Sequence, residues 1–351
     1  MPNHQRCGSA SDVLKRVGDV HRWLSNETLT HPTPSHWTVN SAISLRDGWM
    51  GHGLSSGSHK RVYQAHLEDA HQPIPVVVKR STRDGPQTEP RVHAEILYLE
   101  HLRCKAGVPF LYGGWAENGT VHYVVQHAGS LIGGGLQVVH LSASYLQAAA
   151  RYPFELAGAL LRCFQSFGEG GYSLEDFLPK QFALQRPTGE GVAVYLVDGP
   201  KVLSGPVYDL LSSEPQKFKK ALWSARQSCR ADRDCPATKW SHCCCLTGSE
   251  ACPRGSVGAP EAQGQCNFAD ATVGTNSPNA AGRCAAISER TVLFDVAGKS
   301  WLLPRLALVD PVLERLIAPM REQRAEARPS FGQVLQALEM LPSNRTHTQQ
   351  R

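Results

Sequence analysis

The chain has 351 residues, 41% of them hydrophobic and 19% charged, with a formal net charge of +5. That composition supports a buried core and excludes collagen-like, coiled-coil and wholly disordered chains. The excess of 36 basic over 31 acidic residues is small and spread out, so it gives no nucleic-acid signal, and no uncharged apolar run approaches the roughly 18–20 residues that span a bilayer.

Residues 1–45 are polar except for SDVLKRVGDVHRWL, where Val13, Leu14, Val17, Val20 and Leu24 recur at helical spacing. From about residue 48 the pattern changes. GHGLSSGSHKRVYQAHLED and PIPVVVKRS read as two strands joined by a turn. EPRVHAEILYLEHLRCKAG then places Val92, Ile96, Leu99 and Leu102 on one helical stripe. VPFLYGGWAENGTVHYVVQHAG reads as two more strands turning at Glu117-Asn118-Gly119. Beyond Gly129 the texture becomes helical, and PFELAGALLRCFQSFGEGG is a helix that stops at glycines. SLEDFLPKQFALQRPTGEGVAVYLVDGPKVL gives a loop, a strand, a glycine-bearing turn and another strand. Two helical stretches are expected in the tail, 291–318 and 330–341, the second ending before Pro342.

Eight of the 11 cysteines fall between Cys229 and Cys284, in a segment rich in Gly, Pro, Ser and Ala. Such a segment has too little apolar material to fold without crosslinks. Disulfides would supply them and imply an oxidising compartment. Zinc would need four thiolates or histidines, and the paired CxxC spacing of common zinc sites is absent, although His242 adjoins Cys243. Asn-x-Thr triplets at Asn26, Asn118 and Asn344 favour the secretory or extracellular reading. The start of the sequence lacks the apolar core of a secretory signal, which points instead to the cytoplasm. Both compartments stay open, and the pairing of the cysteines is not legible.

Several chemically useful residues occur in a telling order. Gly57 sits in the glycine-bearing turn Gly53–Val62, and Lys79 ends the run Val76-Val77-Val78. Glu95 follows sixteen residues later in the expected helix. Asp176 precedes Gln181, and Asp198 follows Tyr195-Leu196-Val197. Phosphoryl transfer needs these residue types: a lysine for the phosphates, a glutamate to hold that lysine, an aspartate to orient the attacking hydroxyl, and an amide and a second aspartate for metal ions. Each has a plain reading too. Lys79 could be a strand-end lysine, Glu95 a solvated helix charge, and Asp176 and Asp198 ordinary turn residues.

LEDFLPKQF at 174–182 resembles the catalytic loop of protein kinases, with Asp176 at the catalytic aspartate and Gln181 where asparagine is usual. Leu174 and Leu178 replace the usual histidine and lysine of that loop, and Asp198-Gly199-Pro200 stands in place of Asp-Phe-Gly. SSGSHKRVY at 55–63 is similar to the glycine loop but keeps only Gly57 and carries Lys60. LFDVAGKSWLLPRL, with Asp295, and AEARPSFGQVLQAL, with Arg328, resemble two large-lobe helices. Over residues 48–341 the chain looks closest to the divergent secretory-pathway kinases, the vertebrate lonesome kinase and its cysteine-rich relatives.

The resemblance implies an α+β, bilobal protein-kinase-like fold. A strand-rich small lobe with one helix (46–128) would follow a polar segment (1–45). A helical large lobe (129–342) would carry the cysteine-rich insertion (229–284) and precede a polar tail (343–351). The implied reaction is ATP-dependent phosphorylation of a secreted or glycosylated protein substrate. Ser55, Gly57, Lys60, Val62 and Lys79 would contact ATP. Gln181 and Asp198 would bind Mg or Mn, and Asp176, Lys79 and Glu95 would be catalytic. Three alternatives remain: a pseudokinase used as a binding module, a kinase-fold enzyme acting on a glycan or small molecule, and a zinc-dependent scaffold built on 229–284.

Overall fold

The computed structural model describes residues 8–25, 53–56, 60–67, 73–81, 90–117, 120–134, 140–174, 177–186, 191–202, 204–218, 221–222, 228–229, 245–246, 282–284, 289–322 and 327–341. The fold is mixed α+β with antiparallel sheets. It divides into two compact units, one of Met1–Gly129 with Tyr195–Trp223, the other of Ser130–Val194 with Ser224–Arg351. The first unit opens with α1 (Ala10–Ser25), β1 (Gly53–Ser56), β2 (Lys60–Leu67), β3 (Ile74–Ser81), α2 (Pro90–His101), β4 (Leu111–Glu117) and β5 (Thr120–Gln126). The second holds β6 (Ser130–Leu131), α3 (Ala143–Arg151), α4 (Pro153–Glu169), β7 (Tyr172–Ser173) and β8 (Phe182–Gln185). After β9 (Ala193–Leu196) the chain returns to the first unit for β10 (Lys201–Val202), α5 (Gly205–Leu211) and α6 (Pro215–Phe218). The remainder is β11 (Ser228–Cys229), β12 (Cys245–Leu246), β13 (Gly282–Cys284), α7 (Glu289–Gly298), α8 (Leu303–Ala307), α9 (Glu314–Met320) and α10 (Phe331–Met340).

The first unit is built on a five-stranded antiparallel sheet in the order β1-β2-β3-β5-β4. Side chains alternate across a strand, so β3 puts Val76 and Val78 on one face, where they pack with Tyr63, Ala65 and Val124. Lys79 falls on the other face. Val62 and Tyr123 are its register partners on β2 and β5. Between β3 and β4 lies α2, in which every residue from Val92 to Glu100 is buried. A helix buried all round needs packing partners on every side. One is α1, which buries Val17, Val20, Trp23 and Leu24.

In the second unit α4 is the central helix, burying Leu156, Leu160, Phe164 and Phe167. Phe164 packs against Phe177 and Phe182 at centroid distances of 5.7 and 5.4 Å, and Phe182 meets Trp301 at 5.5 Å. Trp301 donates its indole N–H to the Phe177 carbonyl (3.0 Å) and accepts at its own carbonyl from the Tyr145 hydroxyl (2.6 Å). The buried rings therefore have polar partners as well as area.

Helix positions follow the sequence closely in α1, α2, α4 and α10. The helical stretch expected over 291–318 consists of three helices, α7, α8 and α9, separated by turns. Gly298 ends the first, and Pro304 and Pro311 each sit at the start of the next turn of structure, where a missing N–H does no harm. Among the described residues no helix is long and apolar enough to cross a membrane.

One packing contact makes stability depend on pH. His93 of α2 is fully buried between His21 of α1 and the ring of Phe218 of α6. His21 Nδ1 and His93 Nε2 share a hydrogen bond of 3.1 Å, and His93 Nδ1 has no hydrogen-bond partner among the described residues. Burial, then the neighbouring His21 and Lys217, hold the His93 pKa well below its ordinary 6.5. The unfolded chain takes up a proton there that the folded chain refuses. Stability is therefore full above about pH 6.5 and declines as the pH falls below it. Thermal melts should show a midpoint that drops from about pH 7.5 to about pH 5.5. In His93→Gln the slope of stability against pH should shrink by up to about one proton; an unchanged slope would place His93 in a solvated setting.

Candidate functional site

Four segments of the first unit meet at one cluster of charge. β3 supplies Lys79, the start of β2 supplies Lys60, α2 supplies Glu95, and the turn after β9 supplies Asp198. Lys79 Nζ lies 2.6 Å from Glu95 Oε1 and donates to the Val197 carbonyl at 2.7 Å. It also sits 5.8 Å from the centroid of the Tyr123 ring. Lys60 Nζ bridges Glu95 Oε2 and Asp198 Oδ1, the latter at 2.6 Å. Each Glu95 oxygen thus holds one ammonium group.

Exposure divides the cluster. The side chains of Lys79 and Glu95 are each 5% exposed, whereas Asp198 keeps 47% of its side chain open to solvent. Lys79 and Glu95 form an inner pair, and Asp198 is the group an incoming cation can reach. The titration behaviour follows. Burial opposes charge on Lys60, but Glu95 and Asp198 outweigh it and raise the pKa. For Lys79 burial wins, helped by the nearby Lys60 charge, and the pKa is lowered. Burial would raise the carboxyl pKa of both Glu95 and Asp198; the lysines reverse that, and both carboxyls stay below their ordinary range. Two lysines face two carboxyl groups, so the formal charges of the cluster sum to zero.

A glycine makes the close approach possible. A Cβ on Gly199 would lie 2.8 Å from Glu95 Cβ, closer than real side chains come. The turn carrying Asp198 can therefore rest on α2 only with glycine at 199, and the Gly199 N–H donates to Asp198 Oδ1 at 3.2 Å. Sequence reasoning noted the Asp-Gly-Pro turn but gave Gly199 no role.

The other expected residues are placed as follows. Val62, half-buried on β2, faces Lys79 in register, and Ser55 pairs with Val62 at the β1–β2 edge. Gly57 and Asp176 lie outside the described residues. Gln181 stands in the second unit, in the 3-10 turn Pro179–Gln181, where its side-chain oxygen accepts from the Leu178 N–H at 2.8 Å. That bond orients the amide and gives it a capping role. Of the resemblance-derived helix residues, Asp295 is fully buried in α7. Arg328 donates to the Glu322 and Arg290 carbonyls and stacks on Phe294 at 4.4 Å. The cysteine-rich segment 229–284 lies outside the described residues except for β11, β12 and β13, which form a small antiparallel sheet.

Chemically, the cluster offers two ammonium groups and one accessible carboxylate within a few ångströms. That set fits an anion such as a phosphate chain together with a divalent cation that the anion itself helps to bind. Among the described residues no group of three or more His, Cys, Asp or Glu side chains could hold a metal. A magnesium-type ion tolerates this, because it commonly takes one or two carboxylates and fills its shell with phosphate oxygens and water. No protein-family model matches the chain, and no curated protein matches it in sequence.

The inner pair should behave as a unit. Glu95→Leu leaves the Lys79 ammonium buried with its main counter-charge gone, and should cost about 3–5 kcal/mol in urea unfolding. Adding Lys79→Met to that variant should recover at least about 1 kcal/mol. Strictly additive losses would show that the two side chains do not interact in the folded protein.

Proposed function

We propose that the protein is a divergent protein kinase of the bilobal type, transferring the γ-phosphoryl group of ATP to a protein hydroxyl. The observation that carries the reading is the Lys79–Glu95 ion pair, 2.6 Å long and buried, with Asp198 joined to it through Lys60. Residues spread from position 60 to position 198 converge on one neutral, preorganised charge cluster, as phosphoryl transfer requires. A five-stranded sheet with the glutamate-bearing helix inserted between its third and fourth strands supports the same reading.

In this proposal Lys79, fixed by Glu95, and Lys60 neutralise phosphate oxygens. Val62, Ser55 and Gly57 would contact the nucleotide, the role the resemblance gives them. Asp198 would hold Mg or Mn, which would supply charge neutralisation at the transferred group. Asp176 would orient the acceptor hydroxyl and accept its proton.

One observation favours a second reading, a pseudokinase serving as a binding module. Lys60 already engages Asp198, the carboxylate a metal would need, and Leu178 stands where a phosphate-contacting lysine is usual. Turnover decides between them. Purified full chain with Mg or Mn should release ADP and label a hydroxyl protein acceptor. Asp176→Ala and Asp198→Asn should each lower the rate by about 100-fold or more while nucleotide binding persists in the first. Equal background in wild type and Asp176→Ala, with ATP still bound, would leave the binding module. Offering glycan and peptide acceptors together would separate a sugar kinase from a protein kinase.

For the compartment we propose the secretory pathway or extracellular space, on the strength of the cysteine cluster and the sequons. Thiol counting on denatured, unreduced protein should find the cysteines between Cys229 and Cys284 oxidised and metal analysis should find no zinc. Free thiols with stoichiometric zinc would overturn this in favour of the scaffold.

A further inference from the structure

The helix carrying Glu95 is held from two sides. Counting about 100° per residue, Glu100 projects about 140° and His93 about 160° away from Glu95 around α2. His93 and Glu100 therefore share the back of the helix, two turns apart, while Glu95 faces β3. Both back-face residues are gripped by α1. Arg16 Nε lies 2.7 Å from Glu100 Oε1, and His21 Nδ1 lies 3.1 Å from His93 Nε2. Glu100 is fully buried and Arg16 keeps 19% of its side chain exposed, so this ion pair is shielded where a surface pair would be screened. Arg103 reaches the same carboxylate at 3.4 Å.

We infer that α1 is a positioning element for the charge cluster, and that Arg16 is its principal positioning residue. Glu95 can hold Lys79 only while α2 keeps its rotation and its distance from β3. On the front, the Asp198-Gly199 turn rests against Glu95, and a side chain at 199 would push it away. On the back, a buried charge pair and a histidine pair set the rotation from two points about two turns apart. If the back contact loosens, α2 can turn, and Lys79 loses its glutamate before the rest of the unit unfolds. The inference rests on the proposed function for its catalytic consequence, but its structural content can be read without any nucleotide.

The test uses the full chain as wild type, Arg16→Gln, Arg16→Lys and Glu100→Gln. Lys79 is labelled with a water-soluble amine-acylating reagent below the melting point of every variant. The rate is read by mass spectrometry against Lys180, an exposed lysine of the second unit. Arg16→Gln and Glu100→Gln should each speed Lys79 labelling at least about fivefold, and Arg16→Lys should return most of the protection. In turnover the KM for ATP should rise more in Arg16→Gln than kcat falls. His21→Phe is the second variant, should Glu100→Gln fail to fold, and should act in the same direction. A lowered melting temperature with Lys79 labelling unchanged would overturn the inference and leave α1 as packing only. Faster labelling in a chain whose wild type neither binds nor turns over ATP would support the positioning role and overturn the kinase reading instead.

Discussion

The structure of the first unit depends on keeping two ammonium groups and two carboxylates together in a largely dry place. Removing a charge from water costs several kcal/mol unless its partner and its hydrogen bonds are complete. Here they are. Each Glu95 oxygen takes one lysine, Lys79 also donates to a backbone carbonyl, and Asp198 accepts from both Lys60 and its own neighbour's N–H. A neutral apolar core of the same volume would be as stable and simpler to fold. A buried ionic cluster of this kind is therefore weak evidence for stability and better evidence for a task that needs charge at that point.

Everything near the cluster serves its geometry. The pleat of β3 sends Val76 and Val78 into the apolar layer and Lys79 to the opposite face. α2 then has to lie across that face at a fixed height, and Gly199 sets the height by letting backbone touch Glu95. From behind, Arg16 and His21 fix the rotation. The tolerance is small, since a one-residue slip of α2 would turn Glu95 by about 100° and leave both lysines without it. In the second unit the aromatic group around Phe164 and Trp301 does similar work for the Pro179–Gln181 turn, whose neighbours Phe177 and Phe182 are clamped on both sides.

The inner pair was legible in the sequence because two local rules coincide there. A lysine ends an apolar strand, and a glutamate lies sixteen residues on in a strongly periodic helix. Lys60 was legible only through resemblance, and its bridging of Glu95 and Asp198 was not, because bridging depends on tertiary distance. Gly199 carries a signal in the Asp-Gly-Pro turn, but nothing local tells a turn glycine from one that meets a helix. The role of α1 was hidden for the same reason: Arg16 and His21 look like the polar side of an amphipathic helix, and their partners lie more than seventy residues away. The helical stretch expected over 291–318 is present as three helices, and Gly298, Pro304 and Pro311 in the sequence mark where it divides.

Lys60 links the resting cluster to the proposed chemistry. A triphosphate–metal complex brings charges of both signs: its oxygens call for ammonium groups and its metal for a carboxylate. Lys60 and Asp198 are the two outer members of the cluster, and in this structure they are partnered to each other. In the proposed chemistry, replacing that one contact by Lys60 with phosphate and Asp198 with metal would leave no charge unpaired, and the buried Lys79–Glu95 pair would not need to move. Exposure matches that division, with 47% of the Asp198 side chain open against 5% for Glu95. The Lys60–Asp198 contact is therefore compatible with the proposed turnover: it matches the two charges to each other, and the energy of breaking it would be offset by the two contacts that replace it.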